Sequence, residues 1–406
     1  MTGWRRIGWP AVAGGAVALA LASSAAIHAA SFVMQTRDPA LALRIDPSNP
    51  VALVRMAQQA ITLGEAGGSG GAGVLAAAEH SIREQPLNAA AFRLYGLVRG
   101  ANSDLDALGA QVKMADRLSR RDLGAQLFLI EDSVRRNDIS AALRHYDTAL
   151  RVEESSRALL FPVLTAALDE PLIRRRFIPY LTEPPPWMES FLRHAVSTSK
   201  NPAAIAALGI EAGGFPKGDE FRSLDTELLV ALEAVGQLSA LVRYYRSLGH
   251  ADRALLTRIA FTEGNTSRSL APVSWLPYTI AGIDAVFVST GADQLELEAQ
   301  LDPGFAGPVA RKLTALPAGT YRLSAPMRAE GFHWTDSVRW QITCPQEGDA
   351  AEVFNQTVAM ADRFQFTGRF VVPPACPVQR FEIFGKTGFG GSGVNLTIAS
   401  PVLTRP

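Results

Sequence analysis

The stretch that decides the fold is LGAQLFLIEDSVRRNDISAALRHYDTALRV, residues 123–152. Apolar residues recur at helical spacing on both sides of Asn137-Asp138, which predicts two helices, 123–136 and 139–152. A link of two residues makes such helices antiparallel neighbours. The stretch therefore predicts a helical hairpin that buries its apolar face against similar neighbours.

Short polar landmarks recur along the chain on both sides of this hairpin. They begin at Asp46, Gln85, Arg120 and Glu154, in steps of 39, 35 and 34 residues, and the glycine-rich insert 67–73 lengthens the first step. A period of about 34 residues is that of helix-pair repeats, in which stacked neighbours share a continuous core. The spacing therefore predicts an α-solenoid.

Within residues 37–182 the chain resembles the tetratricopeptide family. Ala142, Tyr146 and Ala149 match the small–aromatic–small spacing of the second helix of a repeat, and Phe92 and Gly96 match the large and small positions of the first. The resemblance implies that these five residues pack the repeats. It also implies a right-handed superhelix whose concave groove holds a peptide or a partner helix.

The N-terminal segment predicts a membrane helix. Residues 7–35 contain no acidic or permanently charged side chain, and two arginines precede them at 5–6. A bilayer core requires about 20 apolar residues, and the arginines favour a cytoplasmic N-terminus. We expect residues 1–36 to be a retained signal anchor in a bacterial inner membrane, with the bulk of the chain periplasmic. A cleaved signal peptide is the alternative, since the small residues 29–31 can form a cleavage site.

Composition limits the classes of function. The 406 residues suffice for two or three domains, and 39 basic residues balance 39 acidic ones, so no global field predicts a nucleic-acid partner. The abundance of arginine and alanine indicates a GC-rich bacterial genome.

We predict a multidomain α + β chain, in which the signal anchor is followed by three segments. They are tetratricopeptide-like helical repeats at 37–182, a helical extension at 183–262, and an antiparallel, jelly-roll-like β-sandwich at 263–406.

The patterns after residue 183 support the last two segments. Three prolines at 184–186 break the helical pattern, two helices are predicted within 225–248 on either side of Gly236, and one more at 250–261. Beyond 262, short alternating segments are separated by turn residues, which predicts a sandwich. The predicted strands are 285–288, 294–298, 320–323, 338–342, 364–366, 370–372 and 380–384.

Cys344 and Cys376 are the only cysteines. Two cysteines without clustered histidines are too few for a structural zinc site. In an oxidising compartment the pair predicts one disulfide that closes a loop of about 30 residues. The predicted anchor and the predicted disulfide both indicate a location outside the cytoplasm.

The C-terminal region resembles the carbohydrate-binding-module type of β-sandwich that is appended to secreted proteins. The resemblance is carried by residues 317–321, 340–344 and 371–376. It makes the cluster Phe332-His333-Trp334 the set of glycan-binding candidates, since exposed aromatic faces stack on sugar rings. Trp334 is the better sugar-platform candidate of the two tryptophans, although plain packing is its expected role; Trp340, in an alternating strand, is expected in the core.

Other motifs predict no chemistry. The glycine patterns at 68–73 and 388–393 lack the strand and helix of a dinucleotide site, and the six histidines lack metal-ligand spacing. We therefore predict no catalytic residue, no metal and no cofactor. Alternate acids are expected on solvated sheet faces, with sugar hydrolysis or calcium binding as the weaker alternatives. The carboxylates concerned are Glu296, Glu298, Asp302, Glu330, Asp336 and Asp349.

These patterns favour a non-enzymatic, membrane-anchored periplasmic scaffold that binds envelope proteins through a tetratricopeptide-like groove. Exopolysaccharide synthesis or export is the expected context, by analogy alone. A glycan-binding protein acting through the sandwich is the alternative, and a glycan-modifying enzyme is a weaker one. The sequence does not identify the partner or the glycan.

Overall fold

The computed structural model describes residues 9–63, 69–100, 105–291, 294–345, 350–390 and 393–405. Predicted features outside these ranges are the arginines 5–6, parts of the glycine-rich stretches 67–73 and 388–393, and Asp349. The chain divides into two compact units, Met1–Leu160 and Phe161–Pro406. The predicted boundaries at residues 36, 182 and 262 stay predictions.

The described part of the first unit is helical, and its helices form sequential pairs. The short link between α7 and α8 makes them antiparallel neighbours, as predicted. The helices are α1 (Trp9–Met34), α2 (Pro39–Ile45), α3 (Pro50–Thr62), α4 (Ser69–Glu84), α5 (Ala89–Gly100), α6 (Leu105–Leu118), α7 (Leu123–Arg135) and α8 (Ile139–Val152).

Three of the four recurring polar landmarks lie at the N-termini of α3, α5 and α7; the fourth forms a 3₁₀ turn, Glu154–Ser156, without a side-chain cap. The side chains of Asn49, Asn88 and Asp122 accept hydrogen bonds from backbone N–H groups in the first turn of these helices, at 2.9–3.4 Å. This satisfies donors that a helix N-terminus otherwise leaves unpaired. Asn49 Nδ2 also donates to Ser31 Oγ at 2.8 Å, and Asn88 Nδ2 donates to Ser81 Oγ at 3.0 Å. For these three landmarks the period in the sequence is a period of helix caps, while the tetratricopeptide assignment stays a prediction.

The residues assigned to repeat packing lie on the contact faces of these helices. A Cβ at Gly96 would lie 3.0 Å from a side-chain carbon of α6, so α5 and α6 are close there. Phe92 is half-buried against the cluster that α5, α6 and α7 share. Ala142, Tyr146 and Ala149 form part of the buried face of α8.

The first helix of the chain is also part of this unit. Its segment Gly14–Met34 is long and apolar enough to cross a membrane, and most of it is exposed. Its last turns, in contrast, contact α2 and α3: Ser31 is fully buried and donates to the Ala42 carbonyl at 3.1 Å. His28 Nδ1 lies 2.9 Å from a carboxylate oxygen of Asp46.

In the second unit, a helical part precedes the strands. Helix α9 contains the division between the two units. Helices α10, α12 and α14 contact one another in series, and so do α11 and α13. The helices are α9 (Arg157–Ala167), α10 (Pro171–Thr182), α11 (Met188–Thr198), α12 (Pro202–Ala212), α13 (Leu224–Ala234) and α14 (Leu238–Ser247).

The C-terminal part is an antiparallel β-sandwich, as the alternating segments predict. One sheet has the order β1-β5-β10-β7-β8; the other has the order β12-β6-β11-β4-β3-β2, with β9 also paired to β6. The described strands are β1 (Leu276–Pro277), β2 (Thr279–Ile280), β3 (Ile283–Gly291), β4 (Gln294–Leu301), β5 (Ala306–Thr314), β6 (Gly319–Glu330), β7 (Ser337–Pro345), β8 (Ala350–Ala359), β9 (Phe364–Val372), β10 (Gln379–Lys386), β11 (Val394–Ile398) and β12 (Val402–Thr404).

The inward residues of both sheets form one apolar core. Trp340 lies at its centre, 6.3 Å from the ring of Trp275 and 5.4 Å from that of Phe366. Cys344 and Cys376 form the predicted disulfide, with their Cα atoms 5.5 Å apart and both side chains buried. The disulfide therefore joins the end of β7 to the loop that follows β9.

The helix predicted at 250–261 is wrong: only Arg253–Leu256 forms a short 3₁₀ turn. Two backbone carbonyl groups of this segment accept hydrogen bonds from strand β5 instead of from N–H groups of a helix. Lys312 of β5, 1% exposed, donates from Nζ to the Leu255 carbonyl at 3.0 Å and to the Arg258 carbonyl at 2.7 Å. Its third partner is Asn265 Oδ1 at 2.6 Å. Tertiary hydrogen bonds have overridden the helical pattern here.

A second link joins α13 to the same sheet. The buried carboxylate of Glu233, in the last turn of α13, pairs with Arg311 of β5 and lies 3.4 Å from Arg380 Nη2 of β10. Both arginines are partly buried, so each charge has a close partner in a poorly solvated place. The helical part and the sandwich therefore belong to one compact unit.

Candidate functional site

Three loops meet at one end of the sandwich, which we call the loop end. They are the β4–β5 loop (302–305), the β6–β7 loop (331–336) and the described start of the β10–β11 loop (387–390). The Gly304 N–H donates to the Gly388 carbonyl at 3.0 Å, which joins the first loop to the third. Residues distant in sequence thus share one surface.

Asp336 is the centre of this arrangement. It is 3% exposed, and its Oδ2 accepts the His333 N–H at 2.7 Å while its Oδ1 accepts the Gly388 N–H at 2.8 Å. Its own N–H donates to the His333 carbonyl, and its carbonyl accepts the Met360 N–H, both at 2.9 Å. One buried carboxylate therefore fixes the β6–β7 loop against its neighbours, and its structural use explains its burial.

Thr387 completes the frame on the other side. Its hydroxyl donates to the Asp302 carbonyl at 2.6 Å and accepts the Phe305 N–H at 2.9 Å. The Thr387 N–H also donates to the Phe305 carbonyl at 2.8 Å. The loops are therefore held by directed hydrogen bonds between buried or half-buried groups.

Two aromatic side chains project from this frame into solvent. Trp334 is 82% exposed and Phe389 is 91% exposed. The ring of His333 lies 5.6 Å from that of Trp334 at an angle of 45°. Phe389 lies directly over the backbone of Gly304, where any Cβ would collide with its ring. Because Gly304 has φ +77°, a conformation that favours glycine, a larger residue is disfavoured there for two reasons.

The arrangement offers flat apolar faces whose loops are already ordered. Exposed aromatic faces gain free energy when a ligand removes them from water. A ligand with flat apolar faces and polar edges, such as a pyranose ring, can stack on them while its hydroxyl groups remain solvated. Binding to loops that are already fixed loses little conformational entropy.

The structure separates the residues of the predicted aromatic cluster. His333 and Trp334 are exposed at the loop end, whereas Phe332 is half-buried against the sandwich core. Trp340 is fully buried, as expected. Phe389 is a candidate site residue that the sequence reasoning missed, although it stands in the glycine-rich stretch that was interpreted only as a loop.

The carboxylates considered for chemistry have other surroundings. Glu296 lies in a shallow cleft of about 570 Å³ on the outer face of the larger sheet, where Arg328 Nη2 is 3.2 Å from its carboxylate. Glu298 is half-buried on the neighbouring position of that face, and Glu330 and Asp302 are exposed. Within the described ranges, no group of three or more histidine, cysteine or acidic side chains could hold a metal ion.

A second candidate site lies in the first unit, on the face formed by α3, α5 and α7. Two cavities of about 600 and 480 Å³ lie there and share five lining residues. Arg93 lies across Gly124 and pairs with Asp122 at 2.7 Å, so its charge is neutralised. The shared lining residues are Val51, Asn88, Ala90, Arg121 and Asp122.

Comparison with known proteins gives no family by sequence: no family model matches the chain, and no curated protein does. Among solved structures, the β-sandwich is similar to carbohydrate-binding modules. One such module, in complex with β-1,4-galactotriose, is 13% identical with a TM-score of 0.25, and the match covers 32% of this chain and 88% of that one. The N-terminal cellulose-binding domain of β-1,4-glucanase C from Cellulomonas fimi is 18% identical with a TM-score of 0.23, and the match covers 34% and 91%.

Proposed function

We propose that this protein is a non-catalytic, membrane-anchored binding protein whose β-sandwich holds a glycan at its loop end. The observation that carries the proposal is the pair of exposed rings, Trp334 and Phe389, on loops that Asp336 and Thr387 fix. Solvent-exposed aromatic faces on an ordered frame provide stacking area without a loss of loop entropy. No catalytic residue is part of the proposal.

The expected contribution of Trp334 follows from its exposed area. An aromatic side chain offers about 150–250 Å², so a sugar ring on one face covers about 80 Å². At about 25 cal/mol per Å² this corresponds to about 2 kcal/mol, or about 30-fold in affinity. We expect Trp334→Ala to weaken binding by that factor, and Phe389→Ala by somewhat less because its ring is smaller.

The test is affinity electrophoresis of the full chain in detergent through gels that contain neutral or acidic polysaccharides, followed by calorimetry with oligosaccharides of any retarding polymer. Val371→Ala, another exposed apolar residue of the sandwich, is the matched control and is expected to bind as the parent does. Retardation that survives Trp334→Ala and Phe389→Ala together, or no retardation by any polymer, would refute a glycan site here.

A second candidate function, binding of an envelope protein in the first unit, is favoured by the cavities along α3, α5 and α7. The residues facing them combine apolar contact from Val51 and Val54 with polar groups from Arg55, Gln58 and Arg121. Such a surface suits an extended peptide or a helix from a partner. A pull-down with the anchor-free protein and with its Arg55→Glu/Arg121→Glu variant tests it: the parent is expected to recover an envelope protein that the variant loses. Recovery of none, or equal recovery by both, counts against this function.

We also propose that α1 is retained as a single membrane span with the rest of the chain in the periplasm, in exopolysaccharide synthesis or export. The contact of its last turns through His28 supports retention because cleavage at residues 29–31 would remove it. The disulfide supports an oxidising compartment. Mass spectrometry of the N-terminus of membrane-extracted protein tests retention; a mature chain that starts near residue 31 would exclude it.

A further inference from the structure

A groove between α12 and α14 belongs to neither site described above. It has a volume of about 390 Å³. Its floor is a stripe on α12 at helical spacing, Ala203, Ala206, Ala207 and Ile210, completed by Ala240 of α14. Ile210 is 40% exposed, although it is a large apolar residue next to other apolar side chains. We call this feature the α12–α14 groove.

Small side chains along the floor determine what can fit there. The distance between packed helices depends on the side chains at the contact, and alanine allows a close approach. A third helix can therefore lie on α12 and α14 with its apolar face against the alanine methyl groups. A sugar ring gains less from this floor, because the groove has no aromatic face among its lining residues.

The rim of the groove carries positive charge without a partner. Arg243 and Arg246 of α14 line it, are exposed, and stand three residues apart on one helix face. Like charges at this spacing disfavour the helix slightly. No ion pair of either arginine occurs within the described residues, and Glu211, the acid lining the groove, is 3.4 Å from Arg174.

A larger cavity of about 770 Å³ adjoins the groove, since Ile210 lines both. It lies beyond the end of α12, where Phe215 and Pro216 add apolar surface and Lys217 adds another positive charge. Two acids also line it: Asp219 pairs with Arg222, and Asp225 accepts a hydrogen bond from the Tyr244 hydroxyl at 2.5 Å and lies 3.9 Å from His250 Nε2. The apolar path thus continues past α12 and includes Lys217, which has no ion pair within the described residues.

We propose that the α12–α14 groove docks an amphipathic helix of a partner protein, with the partner's apolar face on the alanine stripe and its acidic residues against Arg243 and Arg246. The charge of the rim selects an acidic partner, and the floor selects a helix over an acidic polysaccharide. This site is independent of the loop end and of the cavities along α3, α5 and α7.

The test measures fluorescence anisotropy of the full chain in detergent with labelled peptides of about 20 residues, a length that supports a helix. The first peptide has leucine and alanine on one helical face and glutamate beside it; in two others, glutamine or lysine replaces glutamate. The protein variants are Arg243→Glu/Arg246→Glu, Ala207→Trp, which fills the groove, and the control Arg322→Glu/Arg369→Glu, a pair of exposed arginines on β6 and β9.

We expect the glutamate peptide to bind about tenfold more tightly than the glutamine peptide, and increasing salt to reduce the difference. Arg243→Glu/Arg246→Glu should reverse the preference toward the lysine peptide, Ala207→Trp should abolish binding of all three, and the control should behave as the parent. Equal binding of the three peptides, loss of binding in the control, or displacement of the glutamate peptide by oligogalacturonate but not by unlabelled peptide would overturn the proposal. Circular dichroism verifies that each variant is folded.

Discussion

Replacing Lys312 by methionine tests how the helical part and the sandwich are joined. The substitution keeps an unbranched side chain one atom shorter but removes a donor that serves three acceptors, the carbonyl groups of Leu255 and Arg258 and Oδ1 of Asn265. The Arg258 carbonyl keeps a hydrogen bond from Asn265 Nδ2 at 3.2 Å. Within the described residues the other two acceptors, the Leu255 carbonyl and Asn265 Oδ1, then have no side-chain donor left, at about 1–2 kcal/mol each. We expect the free energy of unfolding of this unit to fall by about 2–4 kcal/mol.

The loss should also depend on pH. Burial, together with the nearby charge of Arg258, lowers the pKa of Lys312 well below its ordinary value of 10.5. Between the folded pKa and 10.5 the unfolded chain binds a proton that the folded chain lacks, so stability rises with pH over that window, by up to about 1.4 kcal/mol per pH unit. Lys312→Met lacks this rise, so its deficit relative to the parent should be larger at high pH than at neutral pH.

The assay is urea unfolding followed by the fluorescence of the buried Trp275 and Trp340, at neutral pH and again near the upper end of the window. Lys386→Met, which changes an exposed lysine of β10, is the control and should shift stability by less than about 0.5 kcal/mol. A deficit that does not change with pH would refute the lowered pKa. A variant as stable as the parent would refute the linking role of Lys312.

Three further substitutions test other features. Asp122→Ala removes the partner of the buried Arg93 and the cap of α7, so we expect a loss of about 3 kcal/mol in thermal unfolding. Glu154→Ala, which removes an exposed carboxylate paired with Arg157, should lose under about 0.5 kcal/mol, and equal losses would contradict this account. Gly304→Val should displace Phe389 and weaken glycan binding at least as much as Phe389→Ala; unchanged affinity in calorimetry would show that the ring does not need this support. Cys344→Ser/Cys376→Ser removes the disulfide, which closes a loop of 32 residues, and should lower the free energy of unfolding of the second unit by about 3–4 kcal/mol. An unaltered denaturation midpoint would argue against that contribution.

The helices of the first unit could be predicted from sequence because their N-terminal caps are formed by residues close in the chain. Asn49, Asn88 and Asp122 precede helical patterns at a nearly constant interval, and each caps a helix through contacts within three residues of itself. Such short-range interactions leave a direct signature in the chain. The same holds for the segments that alternate between apolar and polar residues and form the strands.

Long-range interactions explain what sequence reasoning missed. Strand β5 was not predicted because it carries Arg311 and the buried Lys312, whose partners lie in segments far away along the chain. The helix predicted at 250–261 failed for the same reason. At the loop end, Trp334 was a candidate, but its placement beside the loop of Phe389 depends on the hydrogen bond from Gly388 to Asp336 across 52 residues. No local pattern contains that information.

The division of labour at the loop end has an evolutionary consequence. Asp336 holds the loops through backbone groups, while the exposed rings of Trp334 and Phe389 take no part in these hydrogen bonds. Substitutions of Trp334 or Phe389 can therefore change ligand preference without disturbing the loop structure, whereas substitutions of Asp336 would disturb it. A lineage carrying this design can diversify what it recognises through single codon changes.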